Sequence, residues 1–182
     1  AVLTAAVASL AFLLYVTIGT PEAPAYLATV AQMRAEDAAR RAELSRLAEQ
    51  IERHLNEAPD DGEGWALLAS AKLRLGKMDD ARNALAQARQ FLPPPKASEA
   101  TARFAQTLAD VSEGQAVSPI RQYAVEALSL DSTNPRGHML LALLAMQAND
   151  AVEARKQWST IIDRKSTRLN SSHIPLSRMP SS

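Results

Sequence analysis

Two histidines and two pairs of neighbouring aspartates are the side chains of this sequence best suited to chemistry. A histidine such as His54 or His138 could transfer protons or ligate haem, and paired carboxylates such as Asp60–Asp61 and Asp79–Asp80 could act as acid and base. Both histidines occupy positions where a helical repeat places packing residues, and both aspartate pairs precede predicted helices. We therefore predict structural histidines and helix-capping aspartates.

Composition excludes further classes of site. The sequence of 182 residues has no cysteine, which removes disulfides, thiolate metal sites and cysteine nucleophiles. It has no Gly-rich phosphate loop, nucleophile elbow or HExxH motif. Lys plus Arg and Asp plus Glu both total 20, so the formal net charge is zero. A net positive charge that would attract nucleic acid is therefore absent. We predict a binding protein without cofactor or metal, and not an enzyme.

The stretch from Gly62 to Pro93 carries a helix-turn-helix pattern. Few residues are aromatic (4%), and alanine and leucine dominate, which favours helices over sheet. Gly76 separates two apolar helical faces, Asp79 is predicted to cap the second helix, and Pro93 ends the unit. The apolar positions are Trp65, Leu68 and Ala69, then Ala81, Leu85 and Ala88. These spacings are those of a tetratricopeptide (TPR) repeat, except that Lys72 stands where an aromatic residue is usual, beside Leu73.

Further copies of the unit flank this one. Pro59 precedes Pro93 by one TPR period of 34 residues, and the helix before Pro59 has an apolar stripe of Leu44, Leu47, Ile51 and Leu55. A last copy places His138, Leu141, Ala142, Asn149, Ala154, Trp158 and Ile161 at repeat positions. A middle copy would place Phe104 at the position of Trp65 and Ala127 at that of Ala88, with a surplus of about five residues in 93–100 or 114–119.

The predicted fold is all-α, a TPR helix-turn-helix solenoid following an N-terminal transmembrane helix. The predicted bounds are a transmembrane helix 1–18, a linker 19–33, a TPR domain 34–162 and a tail 163–182. The TPR domain divides into a half-unit 34–58, repeats 62–93 and 97–132, and a truncated repeat 135–162. Leu140, Leu144 and Trp158 are expected to be partly uncovered, so we expect this chain to be less stable than a longer one with a capping helix.

The two ends are predicted to lie outside the repeat fold. Residues 1–18 carry no charge, and a helix of that length approaches the bilayer thickness; a signal-peptide core is the alternative. Either interpretation places the rest of the chain outside the cytoplasm, since the next basic residue is Arg34. Residues 163–182 resemble a translated sequencing adapter, so we expect a non-native tail and give no role to His173.

The concave side of a TPR array is lined by first-helix positions, which here predict a peptide-binding groove. The candidates are Leu67, Ser70, Leu73 and Arg74 in one unit and Arg136, Met139, Leu143 and Met146 in the last. Ala66, Ser70 and Leu140 stand where a carboxylate-clamp TPR needs Lys and Asn. Met139, Leu143 and Met146 form an apolar strip suited to an amphipathic helix. The alternative is that these three residues face a following helix pair.

A more specific resemblance rests on two stretches. The junction LLYVTIGTPEAP and the run LAEQIERHLNEAPDDGEGWALLASAKLRLGKMDDARNALAQA are similar to those of the cytochrome c-type biogenesis proteins of the CcmI/CycH family. The resemblance covers residues 8–162. It implies a protein of the bacterial inner membrane with a periplasmic TPR domain, in which the apolar segment is the second of two membrane spans.

The same resemblance implies a function. It predicts a chaperone that binds the helical C-terminal segment of apocytochrome c and presents it to the membrane haem-ligation subunits. The absence of cysteine is consistent with clients whose thiols must stay reduced. The alternative is a membrane-anchored TPR scaffold that assembles envelope complexes and has no folding client.

Overall fold

Seven α-helices and no strands make up the described part of the chain. The computed structural model describes the backbone of residues 23–171, and side chains within residues 27–163 of it. The helices are α1 Ala23–Glu57, α2 Gly62–Arg74, α3 Met78–Phe91, α4 Pro94–Val111, α5 Val117–Leu130, α6 Pro135–Gln147 and α7 Ala151–Ser171.

Local sequence signals account for the helix ends. The Asp61 side chain caps α2 by accepting from the amides of Glu63 and Gly64. Gly76 follows the end of α2 with a φ of 78°, a left-handed conformation that glycine adopts at little cost. The prediction that Asp79 caps the next helix is wrong: α3 begins earlier, at Met78, so Asp79 lies in its first turn and favours the helix dipole instead.

From Leu44 onward the helices form successive antiparallel pairs. The pairs are α2–α3, α4–α5 and α6–α7, and we call the leading helix of each pair its A helix and the other its B helix. Neighbouring A helices touch, α2 with α4 and α4 with α6, and each B helix also contacts the next A helix. This pattern of contacts is that of stacked TPR repeats.

A buried large–small pair of residues recurs on the three A helices. It consists of Leu68–Ala69 in α2, Phe104–Ala105 in α4 and Leu141–Ala142 in α6, all at most 8% exposed. The small member lets the paired B helix approach closely. Phe104 therefore matches Leu68, and the prediction that it matches Trp65 is wrong.

The middle repeat is longer because its A helix and its turn are both extended. α4 has 18 residues, whereas α2 and α6 each have 13. It begins at Pro94, directly after the cap residue Pro93, because a proline at the first helical position has no amide to leave unpaired. The turn from Ser112 to Ala116 is also longer than the turns after α2 and α6. Both stretches predicted to hold the surplus contribute to it.

Helix α1 extends further than predicted at its start. It runs from Ala23 without a break, so the part of the predicted linker within the described residues is helical. Its two parts belong to separate compact units divided between Glu43 and Leu44. In the first unit, residues 31–43 are all exposed, and Arg40 pairs with Asp37 at 2.7 Å. In the second unit, Ala48 and Leu55 are buried in the repeat core.

Both predicted end segments fall largely outside the described residues. The predicted transmembrane helix 1–18 lies outside them altogether, as do residues 172–182 of the predicted tail. None of the helices within 23–171 is long and apolar enough to cross a membrane. α7 continues through residue 163, the predicted start of the tail, to Ser171.

The last pair is better covered than the sequence suggested. Leu140 and Leu144 are 4% and 6% exposed, so the expectation that they are uncovered is wrong. Both belong to the repeat core, together with buried residues of α4 and α5. Trp158 is half-buried, as expected.

Candidate peptide-binding surface

The A helices lie side by side and present one continuous row of side chains, which we call the A-helix face. Its members are exposed or half-buried and lie three, four or seven residues apart along each helix. They are Glu63, Leu67, Ser70 and Arg74 on α2, Lys96, Glu99, Arg103 and Gln106 on α4, and Arg136 and Leu143 on α6.

Ion pairs join the three A helices across this face. Lys96 Nζ lies 2.5 Å from Glu63 Oε1, and this contact raises the pKa of the Lys96 ammonium. On the other side of α4, Glu99 Oε1 accepts from Arg136 Nε at 3.1 Å and lies 3.5 Å from Arg103 Nη2. Each of these cations therefore already has an acidic partner on the face.

The α2 candidates divide into surface and core. Leu67 is 53% exposed, Arg74 is exposed, and the half-buried Ser70 hydroxyl donates to the Ala66 carbonyl at 3.3 Å. Leu73 is only 2% exposed and lies in the repeat core. The prediction that Leu73 lines the groove is therefore wrong, because its side chain is buried among core residues.

The α6 candidates do not form one strip. Leu143 is 48% exposed on the A-helix face, whereas Met139 lines a cleft against Trp158 and Ile161 of α7. In repeat register Met139 and Met146 match Ala66 and Leu73, which are 8% and 2% exposed in the first pair. These two methionines thus match positions that are buried in the first pair.

The α6 arginine has a structural role. Arg136 donates from Nε to Glu99 and from its guanidinium to the Gln106 side chain, so both bonds tie α6 to α4. Its side chain is 33% exposed. Arg136 therefore helps to hold the A-helix face together more than it offers a free charge.

The two histidines satisfy helix ends. His138 links the Ser132 carbonyl, 2.9 Å from Nε2, to the Gln157 side chain, 2.6 Å from Nδ1, which is the structural role predicted for it. His54 was also expected to pack, but its side chain is 57% exposed. Its Nε2 lies 3.1 Å from the capping carboxylate of Asp61.

Hydrogen bonds stabilise the charged form of the capping carboxylate of Asp61. Its pKa lies below the ordinary value of 3.8, chiefly because the Gly64 amide donates to it and further because His54 and the Glu63 amide do. Among the side chains described, no group of three or more His, Cys, Asp or Glu residues could hold a metal ion.

Sequence reasoning missed the α4 contribution to the face. Lys96, Glu99, Arg103 and Gln106 form its centre, and none was predicted because groove positions were assigned only in the Gly62 unit and the last unit. The recurring large–small pair was the signal that could have found them. Counting from Phe104–Ala105 places Glu99 and Arg103 level with Glu63 and Leu67.

Comparison with known proteins agrees with this architecture. Residues 20–168 match the family model described as "Cytochrome c-type biogenesis protein H TPR domain". The chain belongs to this family. The resemblance to CcmI/CycH proteins seen in the sequence is thereby confirmed, and the helix pairs are TPR repeats of a cytochrome c-type biogenesis protein.

Two curated relatives carry the family name. The cytochrome c-type biogenesis protein CycH of Rhizobium meliloti (strain 1021) is 32% identical over 141 residues, which are 78% of this chain and 35% of the relative. The CycH protein of Bradyrhizobium diazoefficiens is 26% identical over 119 residues, 65% of this chain and 32% of the relative. The chain thus spans about a third of the length of the relatives it matches.

Proposed function

We propose that this cytochrome c-type biogenesis protein is a periplasmic TPR chaperone that binds the helical C-terminal segment of apocytochrome c. It presents that client to the membrane haem-ligation subunits, and it is anchored in the bacterial inner membrane by the apolar segment 1–18. Family membership and the similarity to two CycH proteins support a role in this process. The proposed activity is binding and not catalysis.

The observation that carries the proposal is the chemistry of the A-helix face. Its lysine and two of its arginines are paired with Glu63 and Glu99, so they are poor receptors for an acidic peptide. Leu67 and Leu143 nevertheless expose about half of their surface beside these pairs. Uncovered leucines beside paired charges suit the apolar side of an amphipathic helix, which buries those leucines without leaving one of these paired charges unpartnered.

A binding measurement tests the proposal. The full chain in detergent micelles is titrated into a fluorescently labelled synthetic peptide comprising the C-terminal helix of an apocytochrome c. We expect saturable binding with a Kd on the order of micromolar, the range of a single helix in a groove. A peptide of the same composition with its apolar residues scrambled is the control, and it is expected to bind at least about tenfold more weakly.

The alternative function is a membrane-anchored TPR scaffold for envelope complexes without a folding client. If the helical and scrambled peptides bind equally, or if neither binds at micromolar concentration, the chaperone proposal fails and the scaffold is favoured. Neighbouring genes for haem-ligation or thiol-reduction membrane proteins would support the chaperone.

A further inference from the structure

An apolar slot lies between α1 and α2, at the edge of the A-helix face. Its α1 wall consists of Leu47, Gln50, Ile51 and His54, and its α2 wall of Gly64 and Leu67, with Asp61 and Glu63 at one end. The volume is about 330 Å³. Leu47 and Leu67 are 48% and 53% exposed, so two large apolar side chains face each other across an open groove.

Repeat register shows what kind of element covers this slot elsewhere in the chain. Aligning Pro59 with Pro93 makes α1 a B helix, whose slot residues Leu47, Ile51 and His54 match three residues of α3 and three of α5. Those residues are Ala81, Leu85 and Ala88, then Ile120, Ala124 and Ala127, all at most 1% exposed. In α3 and α5 the A helix of the same pair helps to cover these positions.

Helix α1 has no A helix of its own within the described residues 23–43 that lead into it. The residues before Leu44 continue as the same uninterrupted helix from Ala23, where a TPR pair would have a turn and an antiparallel partner. Within the part of the chain that the structure describes, no other helix lies over Leu47 and Leu67, which is why both remain half exposed. The slot is the position of an A helix that this stretch of chain does not supply.

We propose that the slot receives an amphipathic helix of the client, which completes the first TPR pair by taking the place of its A helix. This inference rests on the proposed function and names the site where the client is anchored. The docked helix would extend the existing row of α2, α4 and α6 by one member on the α1 side. It would thus continue an interface that the chain already makes twice between its own A helices.

Charge gives the docked helix a direction. Successive A helices run parallel, because each pair is antiparallel and is followed by a short turn. A client helix in the same row would place its N-terminal end beside Asp61 and Glu63, at the start of α2. Carboxylates stabilise the positive end of a helix dipole, so this end of the slot suits the client's first turn.

The same geometry defines the client's side of the contact. Leu47 and Ile51 are spaced by one helical turn on α1, and Leu67 faces them from α2. A client helix needs apolar residues at i, i+3 or i+4, and i+7 to meet these side chains along two turns. Its opposite side can be polar, since it would face solvent.

The test measures the affinity of the labelled apocytochrome c helix peptide for the full chain and for matched leucine variants. Leu47→Glu and Leu67→Glu place a charge in the slot and are expected to raise the Kd at least about tenfold. Val125→Glu on α5 is the control, because Val125 has a similar exposure and lies outside the A-helix face. It is expected to change the Kd less than about twofold.

The outcomes separate the two proposals. If the unmodified chain does not bind the peptide, the proposed function fails. If it binds but tolerates both slot variants, or if Val125→Glu weakens binding as much as they do, the function stands and the slot inference is overturned. Circular dichroism melting checks that each variant folds. If a glutamate variant does not fold, the corresponding Leu47→Gln or Leu67→Gln variant replaces it. The glutamine variants are also expected to raise the Kd.

Photo-crosslinking then identifies the occupant and its direction. With benzoylphenylalanine at residue 67, saturating peptide is expected to give a chain–peptide product, mapped by mass spectrometry. A product that instead joins two copies of the chain, or joins residue 67 to residues 1–22, overturns the inference. With the photoreactive residue in the first turn of the peptide, crosslinks to residues 61–64 are expected; crosslinks near Arg74 would refute the proposed direction.

Discussion

At the scale of single residues, the two side chains that cap α2 and α6, Asp61 and Asn134, differ in burial and in hydrogen-bond partners. Asp61 caps α2 at a part-exposed site beside His54. Asn134 caps α6 while 2% exposed, and its amide also donates to the Ser98 hydroxyl at 2.8 Å. Ser98 in turn donates to the Ala127 carbonyl at 2.7 Å, so this second cap ties α4, α5 and α6 together.

Asp61→Ala removes the acceptor for two amides at the start of α2. We expect the free energy of unfolding to fall by about 1 kcal/mol at neutral pH, measured by urea denaturation. Because the pKa of Asp61 is lowered in the folded state, its contribution is complete above the ordinary value of 3.8 and is lost as the pH falls through the folded-state pKa. Asp60→Ala is the matched control and is expected to change stability by less than about 0.5 kcal/mol.

Asn134→Ala is expected to lower the free energy of unfolding by about 1–2 kcal/mol more than Asp61→Ala does. The change removes the cap and also takes away one partner of the buried Ser98 hydroxyl. The comparison uses urea denaturation of both variants under the same conditions. Equal losses would show that the bond between Asn134 and Ser98 adds nothing to the cap.

At the scale of the helices, equivalent positions have different surroundings in the first and last pairs. Leu73 of α2 is 2% exposed and lies in the repeat core, whereas the matching Met146 of α6 is 56% exposed. Lys72, beside Leu73, is also buried. The aliphatic part of its side chain lies in the interior, and its ammonium lies 2.5 Å from Glu52 of α1. A lysine can thus replace the aromatic residue usual at this repeat position.

Substituting the two equivalent side chains tests this reading of the repeat. Leu73→Ala is expected to lower the free energy of unfolding by about 2–5 kcal/mol, because it leaves a cavity in the core. Met146→Ala is expected to change it by less than about 0.5 kcal/mol, because the side chain is already solvated. A large loss from Met146→Ala would mean that the α6 surface is covered in solution.

Much of this architecture could be predicted from local patterns, and the errors have identifiable causes. The helices α2, α3, α6 and α7 follow from apolar spacing, with Gly76 marking one turn. Phe104 was misplaced because the longer middle repeat offers several registers, and only burial of the Phe104–Ala105 pair decides among them. Leu73 was taken as a groove residue because its burial comes from packing in the repeat core, which local apolar spacing does not reveal.

At the scale of the whole molecule, repeat proteins are stabilised by contacts between neighbouring repeats. The helix that contacts the most other helices therefore loses the most contacts when it opens locally. Within the repeat unit α4 contacts α2, α3, α5 and α6, and Phe104 and Ala105 are almost fully buried. By contrast, residues 31–43 of α1 are exposed on all sides.

Hydrogen exchange should report this difference. We expect the backbone amides of residues 104–108 to exchange most slowly among those of 23–163, with protection approaching the global free energy of unfolding. The amides of residues 31–43 are expected to exchange fastest, since these residues are all exposed and water can reach their helical hydrogen bonds. Measurement by mass spectrometry or NMR would contradict this view if α4 exchanged as quickly as the first part of α1.

The two methionines of α6 carry a chemical consequence of their position. Met146 is 56% exposed and Met139 lines the open cleft beside Trp158, so an oxidant can reach both sulfur atoms. Oxidation to the sulfoxide would turn an apolar, adaptable surface into a polar one that resists stacking. The α6 surface that carries Met139 and Met146 is therefore sensitive to oxidation, and methionine sulfoxide reductase would be required to restore it.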